Sequence, residues 1–64
     1  MSLTPREVEI LGFVADGNTH PIIAQLLNVS YDTVNFHLDN VRIKLEAKNT
    51  VNAVAIAIRA NIIL

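Results

Sequence analysis

The segment Leu3-Thr4-Pro5-Arg6-Glu7-Val8 limits the fold more than any other, because it is a complete helix start. Thr4 fits the N-cap, where a side-chain oxygen accepts from an unpaired N–H of the first turn. Glu7, three positions on, can return a bond to the cap's own N–H. Pro5 suits the first helical position, where its missing N–H would have no partner in any case. Leu3 and Val8 flank the cap as a hydrophobic staple does. Ile10, Leu11, Val14 and Ala15 then give an inward stripe, and Gly17 ends the helix as a left-handed cap.

The same punctuation recurs along the chain. Thr19 is placed to cap a second helix from about His20 to Leu27, with Pro21 tolerated in the first turn. Ile23, Ala24 and Leu27 suit burial, and Asn28 can take a positive φ at the helix end. Ser30 caps a third helix from about Tyr31 to Leu45, with Val34, Leu38, Val41 and Leu45 on its inner face. Asn49 or Thr50 caps a fourth, from about Val51 to Ala60, which Asn61 closes. Valine and isoleucine raise β propensity locally, but caps and helical spacing outvote them. The predicted fold is all-α, a four-helix domain. Asn28-Val29-Ser30 makes the link between the second and third helices a helix-turn-helix, a connection found also in proteins that bind no DNA.

Composition narrows the options further. Sixty-four residues make one domain, 1–64, expected to be part of a longer protein to which Met1-Ser2-Leu3 does not wholly belong. A chain this short buries only roughly 60% of its unfolded surface. With no cysteine it lacks disulfides and Cys-based zinc sites, so helix packing and association must stabilise it. His20 and His37 lie far apart among scattered carboxylates, so neither a metal site nor a catalytic set is expected, and no cofactor. Five basic and six acidic residues argue against non-specific nucleic-acid binding. No signal peptide or membrane-length apolar run is visible, so a cytoplasmic location without a membrane partner is expected.

The third helix carries the functional signal. With Val34 at the centre of its buried stripe, Asp32, Asn35, Phe36, Asp39 and Ile43 fall outward. Thr33, His37, Asn40 and Lys44 lie along one flank and Arg42 along the other. A solvated face would show Lys–Glu pairs at i, i+4 instead. Amides, a carboxylate and exposed apolar groups suit base edges. Asn takes adenine, Asp accepts from the cytosine amino group, and Phe or Ile presses on a thymine methyl. Thr33, Asn40, Arg42 and Lys44 could hold phosphates. Bland alternatives stand beside these. The helix could be ordinarily amphipathic, Asp39 could pair with Arg42, and Phe36 could pack sideways on the second helix. His37 borders the core and suits a hydrogen-bonded structural role; His20 suits the surface or a cap. Arg6, Glu7 and Glu9 read as a solvated face.

The stretches "LTPREVEILGFVADG", "IAQLLNVSYDTVNFHLDNVRIKL" and "NTVNAVAIAIRANII" together resemble the C-terminal DNA-binding domain of LuxR-type bacterial transcription regulators. The resemblance runs from Leu3 to Ile63, most specifically in "LTPRE", "TVNFH" and "N..IKL". It implies that the third helix enters the major groove of double-stranded DNA and that the fourth forms a two-fold homodimer contact. It places Asn35, Phe36 and Asp39 as base-reading residues, with Thr33, His37, Asn40 and Lys44 contacting the DNA backbone or supporting the helix. It also implies an upstream ligand-sensing or phosphoacceptor domain, and "TVNFH" leans toward the quorum-sensing branch. The chain departs from the family where "HPIIA" replaces the frequent "NKEIA", exchanging a lysine for Pro21 and an acid for Ile22. Asn35 and Asp39 stand where basic or neutral residues are frequent, and Asn28, Glu46 and Asn61 occupy usual glycine positions. Fewer cations imply weaker binding and a shallower salt dependence.

The fourth helix is apolar nearly all round, which normally means burial all round. Ala53, Val54, Ala57 and Ile58 make its inward stripe. Val51, Ala55, Ile56 and Ile62 are left for a partner, and its small alanines allow another helix to approach. A rival reading makes the chain a small interaction module that binds a protein through this helix and never touches DNA. Charge separates the two. DNA binding needs Arg42, Lys44 and Lys48 on one side, with Glu7, Glu9 and Asp16 turned away.

Overall fold

The computed structural model describes residues 2–63. Four α-helices run in the order α1 (Pro5–Ala15), α2 (His20–Leu27), α3 (Tyr31–Lys44) and α4 (Thr50–Arg59), with no strand among the described residues. The predicted caps are in place. Thr4, Thr19, Ser30 and Asn49 each accept from an N–H of the first turn, so Asn49, not Thr50, caps α4. The Lys48 N–H donates to Asn52 Oδ1 at 2.9 Å.

All four helices also close in one manner. A residue of positive φ follows the last turn: Gly17 (96°), Asn28 (55°), Glu46 (54°) and Asn61 (59°). Its N–H and the next one fold back onto orphan carbonyls, as in Asn28 N to Gln25 O (3.2 Å) and Val29 N to Ala24 O (3.0 Å). Glu46 N to Ile43 O (3.1 Å) and Ala47 N to Arg42 O (2.9 Å) repeat the pattern, the Schellman closure.

The core is built on Ile10 and Leu11 of α1, Ile23 of α2, and Val34 and Val41 of α3, all fully buried. Ala24, Leu38, Ala47, Ala53 and Ala57 complete it. Helix α3 packs on α1, α2 and α4, so its position is fixed from three sides. Two inward assignments fail. Ala15 is exposed in the last turn of α1, and Ile58 is 44% exposed. Helix α4 turns its alanine face, Ala53 and Ala57, into the core. Its small residues therefore serve close approach within the chain, and Ile56 and Ile62 also pack on the domain's own core.

The largest departure concerns Glu7, expected on a solvated face but only 3% exposed. The capping box bends its side chain back over the helix start, where the C-terminal end of α3 passes. Oε1 accepts from the Thr4 N–H at 2.9 Å and from Lys44 Nζ at 2.7 Å, while the Glu7 N–H donates to Thr4 Oγ1 at 3.2 Å. A carboxylate at the start of α1 and an ammonium at the end of α3 each suit the local helix dipole. Burial alone pushes the Glu7 carboxyl up, but the Lys44 and Thr4 bonds outweigh it and hold it below its ordinary value. The pair therefore stabilises the fold above the usual carboxylate range, and that stability is lost as pH falls through the lowered value.

Lys44→Met strands a buried carboxylate and should cost about 3 kcal/mol or more. Glu7→Gln should cost less, because the partly exposed Lys44 can turn to solvent, and it should flatten the acid limb of stability. Urea titrations between pH 3 and 7 measure both, and equal costs would contradict the asymmetry. Glu46→Gly should relieve the left-handed strain and raise stability by about 1 kcal/mol, read as a shifted denaturation midpoint.

Candidate nucleic-acid interface

Burial of Val34, Leu38 and Val41 turns the opposite side of α3 to solvent. Asp32 and Asp39 are exposed there, with Phe36 at 63% and Ile43 at 59%. The Phe36 ring, largely exposed, meets that of His37 edge-on at 5.7 Å. Exposed Tyr31, Ile22 and Leu26 extend the apolar character onto α2 and the start of α3. Ile22 thus lies exposed at the position where the resemblance implies an acidic residue.

The flanking residues divide into engaged and free. Thr33 is half-buried and tied to the cap, its Oγ1 2.8 Å from Ser30 Oγ and its N–H donating to the same oxygen at 3.1 Å. His37 and Asn40 are half-buried and have no hydrogen-bond partner among the described residues, so the structural hydrogen bond expected of His37 is absent there. Arg42 is half-buried and forms no ion pair with Asp39. Lys44, expected at the DNA backbone, is not a free cation: Glu7 holds its Nζ at 2.7 Å.

Asn35 is only half-buried and points toward α2, not squarely outward. Its Oδ1 lies 2.9 Å from Nδ1 of His20, and the His20 ring sits 6.4 Å from that of Tyr31. His20 is therefore neither a bare surface residue nor a cap. Sequence reasoning missed this pair because no local spacing links positions on two helices. The crossing of α2 over the start of α3 in a helix-turn-helix is the one signal that could have found it.

Charge is separated only in part. Glu7 and Lys44 cancel each other, and Arg6 and Glu9 pair at 3.2 Å on the exposed face of α1. Among the described residues Arg42, Lys48 and Arg59 remain without a carboxylate partner, and Asp32 and Asp39 share α3 with the first of these. A shallow groove between α1 and the C-terminal end is lined by Val8, Phe13, Ile62 and Ile63 with Glu9 and Asp16, and takes nothing from α3. No cluster of metal-ligating side chains occurs among the described residues, and no helix there is long and apolar enough to cross a membrane.

Comparison with known proteins bears on this geometry. Residues 1–57 match the model of bacterial regulatory proteins of the luxR family. The chain is 48% identical over 61 residues to the transcriptional activator protein SolR of Ralstonia solanacearum, covering 95% of this chain and 26% of that protein. It is 44% identical over 61 residues to the HTH-type quorum sensing-dependent transcriptional regulator VjbR of Brucella abortus (strain 2308), covering 95% and 24%. It is 45% identical over 49 residues to the regulatory protein SdiA of Escherichia coli (strain K12), covering 77% and 20%. The chain thus spans about a quarter of the length of these curated relatives. With a family match over most of its length and four helices arranged around a helix-turn-helix, the chain belongs to the luxR family of bacterial regulatory proteins, a family of transcriptional regulators and not of enzymes.

Proposed function

We propose that this domain binds double-stranded DNA sequence-specifically by laying α3 in the major groove, as the output domain of a longer transcription regulator acting in the cytoplasm. The single observation that carries it is the outward side of α3. Asp32, Phe36, Asp39 and Ile43 stand exposed on a helix fixed from three sides. Exposed apolar and acceptor groups on a rigid helix have little use in water and match base edges. Phe36 and Asp39 read bases, Asn35 joins them from the α2 side, and Thr33, His37, Asn40 and Arg42 lie toward the phosphates. Relatives named as quorum sensing-dependent regulators favour that branch for the parent protein.

The few free cations make a single domain a weak binder, so pairing matters. We place the homodimer contact on Val51, Ala55 and Ile58, one line at i, i+4, i+7 along α4. Val51 is 79% exposed and Ala55 half-buried. Ile56 and Ile62, engaged with the domain's own core, give way to Ile58. A two-fold pair would set two α3 helices about 34–36 Å apart, in successive major grooves. Joining two weak modules on one duplex raises the effective concentration of the second.

Binding-site selection tests the groove assignment. Phe36→Ala should lose discrimination at one base pair, about 1–3 kcal/mol, with folding unchanged. Arg42→Ala should weaken all duplexes alike and reduce the logarithmic salt slope by about 0.9. Unchanged selection by Phe36→Ala together with an unchanged slope in Arg42→Ala would leave the rival protein-binding role. Ala55→Arg should keep the monomer folded, abolish self-association in sedimentation, and remove the advantage of two half-sites over one. Retained pairing would move the contact off α4.

A further inference from the structure

The shallow groove between α1 and the C-terminal end lies away from α3. Phe13, Ile62 and Ile63 line it and rest in part on the core. The closure at Asn61 sets the two isoleucines there, with the Ile62 N–H donating to Ala57 O at 2.8 Å. Glu9, Gly12 and Asp16 line its α1 side. We propose that this groove docks an extended segment of another protein that carries one large apolar side chain between two basic ones. The inference does not rest on the DNA reading, because α3 contributes nothing to the groove.

Two residues of the groove weaken α1 without serving it. Gly12 sits inside the helix, where glycine is markedly worse than alanine. A Cβ built there meets nothing within 4 Å among the described residues, so no neighbour in the chain requires its absence. Asp16 is the C-cap of α1, where a carboxylate opposes the helix dipole and a cation would suit it. It is exposed and has no ion-pair partner among the described residues. Residues that break a local rule with no gain inside the fold are expected at functional sites. Glu9 stands three positions before Gly12 and Asp16 four after it, so all three share one face of the helix.

The chemistry of that face selects the occupant. The missing side chain at Gly12 lets a backbone come close to the helix. Phe13 and the isoleucines offer a seat to one apolar side chain. Glu9 and Asp16 stand about 10 Å apart along the helix and ask for positive charge at both ends. Glu9 meets Arg6 at 3.2 Å, but an exposed pair of this kind holds the carboxylate only weakly. In an extended segment every second side chain shares a face, and four residues span about 13 Å. The order basic, spacer, apolar, spacer, basic therefore matches the groove. The same two carboxylates repel a phosphate backbone, so nucleic acid does not fit there.

The probe is the peptide acetyl-Ser-Arg-Ser-Leu-Ser-Arg-Ser-amide, titrated into the isotopically labelled 64-residue chain while amide resonances are followed. Shifts should gather on α1 from Val8 to Asp16 and on Ile62 and Ile63, and leave Phe36 unmoved. Peptides with glutamate for both arginines, or serine for leucine, should bind at least about tenfold more weakly. Gly12→Leu fills the groove, and Asp16→Lys reverses its charge. Each should weaken the arginine peptide about tenfold and at the same time raise the denaturation midpoint of the chain. Asp16→Lys should also improve binding of the glutamate peptide. Lowered midpoints in both variants would show that the two residues serve the fold, and would overturn the inference. So would equal binding of the three peptides, or shifts spread over the whole surface. Groove resonances that move on dilution without peptide would make the occupant a second copy. A longer parent protein in which the peptide finds the groove closed would make it another part of the same chain. Either result also overturns the proposal.

Discussion

The domain depends on one buried ion pair between the start of its first helix and the end of its third. Glu7 and Lys44 meet at 2.7 Å, and the same carboxylate oxygen accepts from the Thr4 N–H. A buried charge is costly unless paired and hydrogen-bonded, and here both conditions hold. The apolar core is small and closes with alanines on its α4 side. A directional bond at the far end of α3 adds to the packing that fixes that helix from three sides. The cost falls on function: one of only five basic residues is held inside the domain and not offered to an anion.

That diversion shapes how α3 must work. Its inner side is a plain aliphatic seam, and its outer side is poor in positive charge. Electrostatic attraction to phosphates supplies most affinity in proteins that bind nucleic acid, and it is indifferent to sequence. A surface with few free cations shifts the balance toward contacts that discriminate, at the expense of strength. The pairing proposed on α4 would recover the strength without adding charge. The exposed Val51 and Ile58 on α4 are consistent with this division of labour.

Much of the fold was legible because its punctuation is local. The four caps and the closures at Gly17, Asn28 and Asn61 involve residues a few positions apart, which a single sequence displays directly, whereas Glu46 is not a residue type that signals a positive φ. What was not legible required knowing which helix lies beside which. Glu7 was misread because the periodicity of α1 describes one helix and says nothing of Lys44, on another. The capping box held the missing hint, since its glutamate must turn back over the helix start. Ile58 and Ile56 were interchanged because a helix apolar on every side has no preferred sector until neighbours are placed. The outward set of α3 fared better, since the core stripe of Val34, Leu38 and Val41 defines its opposite side unaided. Asn35 was the exception, drawn toward α2 by His20.

The local closures carry a further consequence, for the time in which the domain forms. Each helix begins and ends on bonds within its own few residues, so most of its structure needs no distant segment. Domains of such low contact order belong to the class that folds in roughly microseconds to milliseconds. The contact that must wait is the tie between residues 37 positions apart. Helical turns can come and go while that tie is open, but α3 is held in its final place only after both ends of the sequence between Glu7 and Lys44 have met. The face proposed to read DNA is therefore among the last features of the domain to be set.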